Sequence, residues 1–146
     1  MTTTLKEHPL SSMTIAQAVT RYGVDVLDHL DRDATVPILS GLQMQGDVAV
    51  IPITTGSATT PVPPEGVAVV RGESGGNTHL LLADGPVMFD QRTASDTDLL
   101  LGILDVPEGA TAYLAHPEHA YTGIAPGRYE VRRQREQADE LRLVAD

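Results

Sequence analysis

Apolar positions change their spacing once along this chain. Between Thr14 and Asp31 they recur as Ile15, Val19, Tyr22, Val26 and Leu30, which lays one apolar stripe along a helix of about 17 residues. Thr14 and Gln17 have capping-box spacing, in which the hydroxyl accepts from the Gln17 amide while the Gln17 side chain reaches back. Gly23 is the weak point, costing about 1 kcal/mol relative to Ala in mid-helix. Alternatively it ends a first helix, with Asp25 capping a second.

After Val36-Pro37 the apolar runs become short and are separated by turn residues, the signature of strands. The expected strands are Val48 to Ile53, Val67 to Arg71, Thr78 to Ala83, Val87 to Phe89, Leu99 to Leu104, Ala110 to Ala115, Thr122 to Ile124 and Arg128 to Arg135. Gly46-Asp47, Glu73 to Asn77, Asp84-Gly85-Pro86, Pro107-Glu108-Gly109 and Pro126-Gly127 supply the turns. The fold class is therefore mainly β: a small antiparallel barrel or sandwich of about eight short strands, preceded by an N-terminal α-helical segment. No helical crossover fits between the strands, which disfavours a parallel α/β sheet. Pro52 places the first strand at an edge or ends it. Thr54 to Gly66 reads as an extended, mobile loop, and Gln91 to Asp98 as a second polar loop.

At 146 residues the chain fits one structural domain. Within it, residues 1–45 form an N-terminal arm and helix, and residues 46–146 the β part. Acidic side chains outnumber basic ones 20 to 10, giving a formal charge of -10. That field repels phosphate backbones, and a chain with one Phe and no Trp has few platforms for stacking bases, so nucleic acid is not an expected partner. Without cysteine, thiol catalysis and thiolate metal sites are excluded. No secretory signal and no apolar run of membrane-spanning length is recognisable, so the expected location is the cytoplasm, or a virion assembled there.

Chemistry concentrates in residues 110–136. His116 and His119 sit in Ala-His-Pro-Glu-His-Ala, where a Pro-bent turn lets two imidazoles converge on one ion. Glu118 between them supports such a site from behind, serves as a third ligand, or acts as a base. His79, opening an apolar strand, is the candidate third histidine. The bland alternative is that His79 hydrogen-bonds within a turn while His116 and His119 cap a loop. His29 reads as a half-exposed helix histidine. Nucleotide-binding loops, serine-hydrolase elbows and His-Glu-x-x-His motifs are missing.

Gly72 to Gly85, GESGGNTHLLLADG, loosely resembles the first metal-binding motif of cupins, with Asn77 in place of the first histidine, His79 at the second and Asp84 near the acidic position. The spacing before Asn77 is one residue short, and a second cupin motif is not recognisable. The chain also resembles an uncharacterised bacterial β-rich family with Gly-His-x-His, His-x-Glu-His and Pro-Gly-x-Tyr-x-Val-x-Arg-Gln-Arg-Glu segments. The matching residues here are Gly76 to His79, His116 to His119, Pro126-Gly127, Tyr129 to Val131 and Arg133 to Glu136. This resemblance implies a shared β fold and a histidine cluster, and no particular reaction.

Alternation along the last strand puts Tyr129, Val131, Arg133 and Arg135 on one face, and Arg128, Glu130 and Arg132 on the other. Arginine throughout points to paired carboxylates, from this chain or a neighbouring copy. The expected function is a non-catalytic protein-interaction or assembly module. Its partner is a further copy or another protein, its contact residues are Arg128, Tyr129, Arg132, Arg133 and Arg135, and it needs no cofactor. The alternative is a small cupin-like protein holding a divalent metal ion on His79, His116 and His119.

Overall fold

The computed structural model describes residues 13–28, 30–71, 78–92 and 99–133. Its one described helix, α1 (Ile15–Tyr22), carries the expected capping box: Gln17 N donates to Thr14 Oγ1 at 3.1 Å and Thr14 N to Gln17 Oε1 at 2.8 Å. It ends after 8 residues rather than about 17, because Gly23 adopts the left-handed conformation at φ 84° and donates to Val19 O. Such a glycine caps a helix more readily than it continues one. No second helix follows at Asp25 among the described residues. Val26 and Leu30 nonetheless reach the same apolar cluster as Ile15 and Ala18, since Leu27 N is held by Pro117 O and Tyr121 Oη donates to Val24 O.

Ten strands are described: β1 (Ile38–Leu39), β2 (Gln43–Gln45), β3 (Val48–Pro52), β4 (Val67–Val70), β5 (His79–Asp84), β6 (Met88–Gln91), β7 (Leu100–Val106), β8 (Thr111–His116), β9 (Ala120–Ile124) and β10 (Gly127–Arg133). They form two five-stranded sheets, β1-β9-β8-β5-β4 and β2-β3-β10-β7-β6. The sheets stack as a sandwich and do not close into a barrel. All ladders are antiparallel except β1 with β9. The two strands not foreseen, β1 and β2, are too short to show a period. Pro52 ends β3, an interior strand, where its missing N–H does least harm to the ladder.

Two apolar layers hold the sandwich. Val48 and Val50 of β3, Phe89 of β6, Leu104 of β7, Leu114 of β8 and Tyr129 and Val131 of β10 meet between the sheets. On the outer face of the first sheet, Leu82, Tyr113, Ala115 and Tyr121 are covered by Ile15, Ala18, Val26 and Val36. Strand β8 is consequently buried at all six positions, which explains why its sequence shows an apolar run instead of alternation. An Arg21–Asp84 ion pair at 3.1 Å joins α1 to β5.

The segment expected as a mobile loop, 54–66, is instead tied along the edge of β6. Val62 N donates to Val87 O, Phe89 N to Thr60 O, and the amides of Thr59 and Thr60 to Asp90 Oδ1, while Ala58 is buried. Low apolar content hid this because backbone groups make most of the contacts. None of the described helices is long and apolar enough to cross a membrane.

Candidate functional site

The three candidate histidines meet at one end of the sandwich. His79 begins β5 and His116 ends β8, one step beyond the Leu80–Ala115 pair, and alternation turns both toward the interior, like Leu81 and Leu114. His119 comes from the turn between β8 and β9. The ring centroids lie 4.3 Å apart for His79 and His116, 4.6 Å for His116 and His119, and 6.1 Å for His79 and His119. His79 and His116 are each 3% exposed, whereas His119 and Glu118 face solvent.

The β2–β3 hairpin of the second sheet closes over this cluster. Gly46 sits at φ 60° in its two-residue turn, the φ expected of the leading glycine in a type II′ turn. A Cβ there would lie 2.8 Å from His119 Nε2 and 3.3 Å from His79 Nε2, so the backbone favours glycine and a side chain would push the exposed His119 ring aside. Gln45 Nε2 donates to Leu114 O at 2.8 Å, and Gln43 Nε2 reaches Gly123 O at 3.3 Å. These buried amides clip the two sheets together. Gly46 was read from sequence only as a turn residue and Gln45 was not singled out; the signal available was two glutamines alternating within an uncharged, largely apolar stretch.

The hydrogen bonds fix the tautomers. His79 Nε2 lies 3.0 Å from Gln45 O, and a carbonyl only accepts, so Nε2 carries the proton and Nδ1 presents a lone pair. Nδ1 is buried and has no hydrogen-bond partner among the described residues, as is true of Gln45 Oε1. The Glu118 amide donates to His116 Nδ1 at 3.0 Å, which makes that nitrogen the acceptor. Burial holds the His79 imidazole down at about 4, with His116 and His119 adding to the shift and Asp47 and the Gln45 carbonyl opposing it. His79 is therefore neutral at pH 7. Ala120, just past the turn, sits at φ 63°, a region that costs a residue with a β-carbon about 1–2 kcal/mol.

Ligand atoms of His116, Glu118 and His119 lie within 4.8 Å of one another, making these three the described set able to share an ion. Glu118, expected to support the site, to be a third ligand or to act as a base, is thus the residue grouped with His116 and His119, where His79 was expected. His79 packs behind His116.

Along β10, Tyr129 is turned into the core, 1% exposed, with its hydroxyl donating to Ala125 O. Arg128 approaches Asp105 at 4.0 Å and Arg132 pairs with Glu130 at 3.3 Å. Arg133 is half-buried, its Nε without a hydrogen-bond partner among the described residues. His29, Asn77 and Arg135 lie outside the described residues.

Among the described residues, a different surface stands open at the side of the sandwich. Strand β2 is the terminal strand of its sheet, and Gln45 and Val48 close the hairpin turn, so alternation points the N–H and C=O of Met44 away from β3. Leu39, Leu42 and Met44, on or beside this edge, are 42%, 64% and 54% exposed.

No curated protein and no solved structure matches the chain. A family profile matches residues 44–134, a span that takes in the whole histidine cluster and leaves out α1 and β1. The chain accordingly belongs to the family described as a domain of unknown function, DUF8820.

Proposed function

We propose that this domain is a non-catalytic assembly module that joins a second copy of itself through the open edge of β2. The observation that carries this reading is the edge itself. Residues 34–46 contain no charged side chain in a chain that is 21% charged, and they hold three of the four large hydrophobics that are exposed among the described residues. Edge strands are ordinarily protected by charge, by proline or by a covering segment. The β6 edge has the 58–62 segment along it; β2 has Leu42, Gln43, Met44 and Gln45.

A second copy suits this edge because the seam is self-complementary. About a two-fold axis at Met44, each Met44 N–H meets the other copy's Met44 carbonyl, and the two five-stranded sheets become continuous. Copies carrying -10 each repel one another, and an uncharged strip is where they meet at least cost. Arg128 and Arg132 are engaged by carboxylates of their own chain and stand outside the seam.

Light scattering on the intact protein is expected to give twice the 15.6 kDa chain mass. Met44→Lys, at an exposed position that leaves the core untouched, is expected to return the mass to that of one chain with an unchanged circular dichroism spectrum. A wild-type protein that stays at one chain mass at high concentration, or a dimer that survives Met44→Lys, would overturn the reading.

A further inference from the structure

A second site, independent of the edge, lies in the turn at the end of the sandwich. We propose that His116, Glu118 and His119 bind one divalent transition-metal ion of the zinc class, with His79 as a positioning residue behind His116.

Three observations carry this. The ligand atoms of His116, Glu118 and His119 already lie within 4.8 Å of one another. The only described histidines of the chain are gathered in that one place, their rings nested at 4.3 to 6.1 Å. His79 Nδ1, on a residue 3% exposed, and Oε1 of Gln45, whose backbone carbonyl holds His79, are buried acceptors with no hydrogen-bond partner among the described residues. An unsatisfied buried acceptor is costly, and the His79 ring that carries one packs 4.3 Å from that of His116. Gly46 adds to the fit, since a side chain there would have to displace the His119 ring from its present position.

The donor chemistry selects the ion. Two imidazole nitrogens and one carboxylate suit zinc or ferrous iron, whereas calcium and magnesium prefer oxygen throughout. Three protein ligands leave a coordination position for water or a further ligand.

The same geometry says what moves on loading. Ligands about 2.1 Å from a tetrahedral ion are roughly 3.4 Å from one another, a spacing that a turn already holding them within 4.8 Å reaches with at most a small adjustment. The Glu118 amide bond to His116 Nδ1 must also break. If the ion takes Nδ1 it replaces the amide hydrogen there; if it takes Nε2, the ring proton shifts to Nδ1, which then no longer accepts. Either way the Glu118 amide is released.

The test uses full-length protein made without a histidine tag, stripped with a chelator and titrated with zinc ion alone by calorimetry. One ion per chain is expected. Glu118→Gln and His119→Ala, both at exposed positions that leave the fold intact, should each weaken binding by about ten- to a hundredfold or more. Nitrogen-15 spectra should show the Glu118 amide shifting on zinc addition. Uptake well below one ion per chain overturns the proposal. So does stoichiometric uptake that survives both substitutions, because the ion would then sit elsewhere, for instance on His8 or His29. Met44→Lys should bind the ion as wild type does, which keeps this test separate from that of the edge.

Discussion

Truncated to residues 37–146, the protein is expected to be insoluble, or to lose most of its folding stability. Residues 13–36 bury Ile15, Ala18, Val26 and Val36 against Leu82, Tyr113, Ala115 and Tyr121, and removal uncovers that whole face of the first sheet. Burial of each large side chain is worth roughly 1.5–3 kcal/mol. Even reduced for a compact unfolded state, three aliphatic side chains lost and three large ones exposed approach the 5–15 kcal/mol that holds a typical domain together. The segment also brings hydrogen bonds to the rest of the domain, among them Tyr121 Oη to Val24 O at 2.7 Å and Leu27 N to Pro117 O at 3.0 Å. Thermal melting of the soluble fraction is the measurement. If the truncated chain stays soluble and melts within a few degrees of full length, the segment is an arm resting on the domain and not part of its core.

Acid is expected to destabilise the protein above the range where carboxylates titrate, through His79. The folded imidazole is held at about 4, while in the unfolded chain it titrates near its ordinary 6.5. Between those values the unfolded state binds a proton that the folded state refuses, so stability rises with pH across the window. The contribution is fully present above pH 6.5 and is lost as pH falls toward 4. A difference of this size corresponds to roughly 3 kcal/mol at most. The groups facing His79 are His116, His119, Asp47 and the Gln45 carbonyl. Asp25 and Asp90 act at lower pH, since Arg32 beside the first and the Thr59 amide on the second hold them below the usual carboxylate range. His79→Gln keeps a donor for Gln45 O and does not titrate. Urea unfolding of both proteins from pH 7 to pH 4 should show wild type losing stability relative to the variant by that amount, and parallel profiles would remove His79 from the account.

The β part was largely legible because eight of its strands are long enough to show apolar runs between turns. Strands β1 and β2, of two and three residues, carry no periodicity; only their pairing partners reveal them. The helix was overdrawn for a related reason. Val26 and Leu30 keep the spacing of Ile15 and Val19, and they face the same cluster, but Gly23 reverses the backbone between them. Periodicity reports which side chains meet the core and says less about the backbone that delivers them. For the histidines, sequence spacing brought His116 and His119 together and chose His79 as the third. It left Glu118 between a supporting role, a third ligand and a base, and did not reveal that Gln45 would take His79 Nε2. That is a contact between the two sheets, set by a hairpin 34 residues away from His79 in the chain. On β10, alternation put Tyr129 and Val131 on one face, yet charge on both faces hid that these two are core.

The covering of the first sheet also orders events during synthesis. Val24 and Tyr121 are 97 residues apart, and β1 pairs in parallel with β9, so this segment leaves the ribosome well before the strands that receive it and is among the last to find its place. Closing so long a loop is deferred until the strands that receive it have formed. Throughout that interval the apolar stripe of Ile15, Val19 and Tyr22 is nascent chain without a partner, the segment of this protein on which a chaperone would have the longest hold.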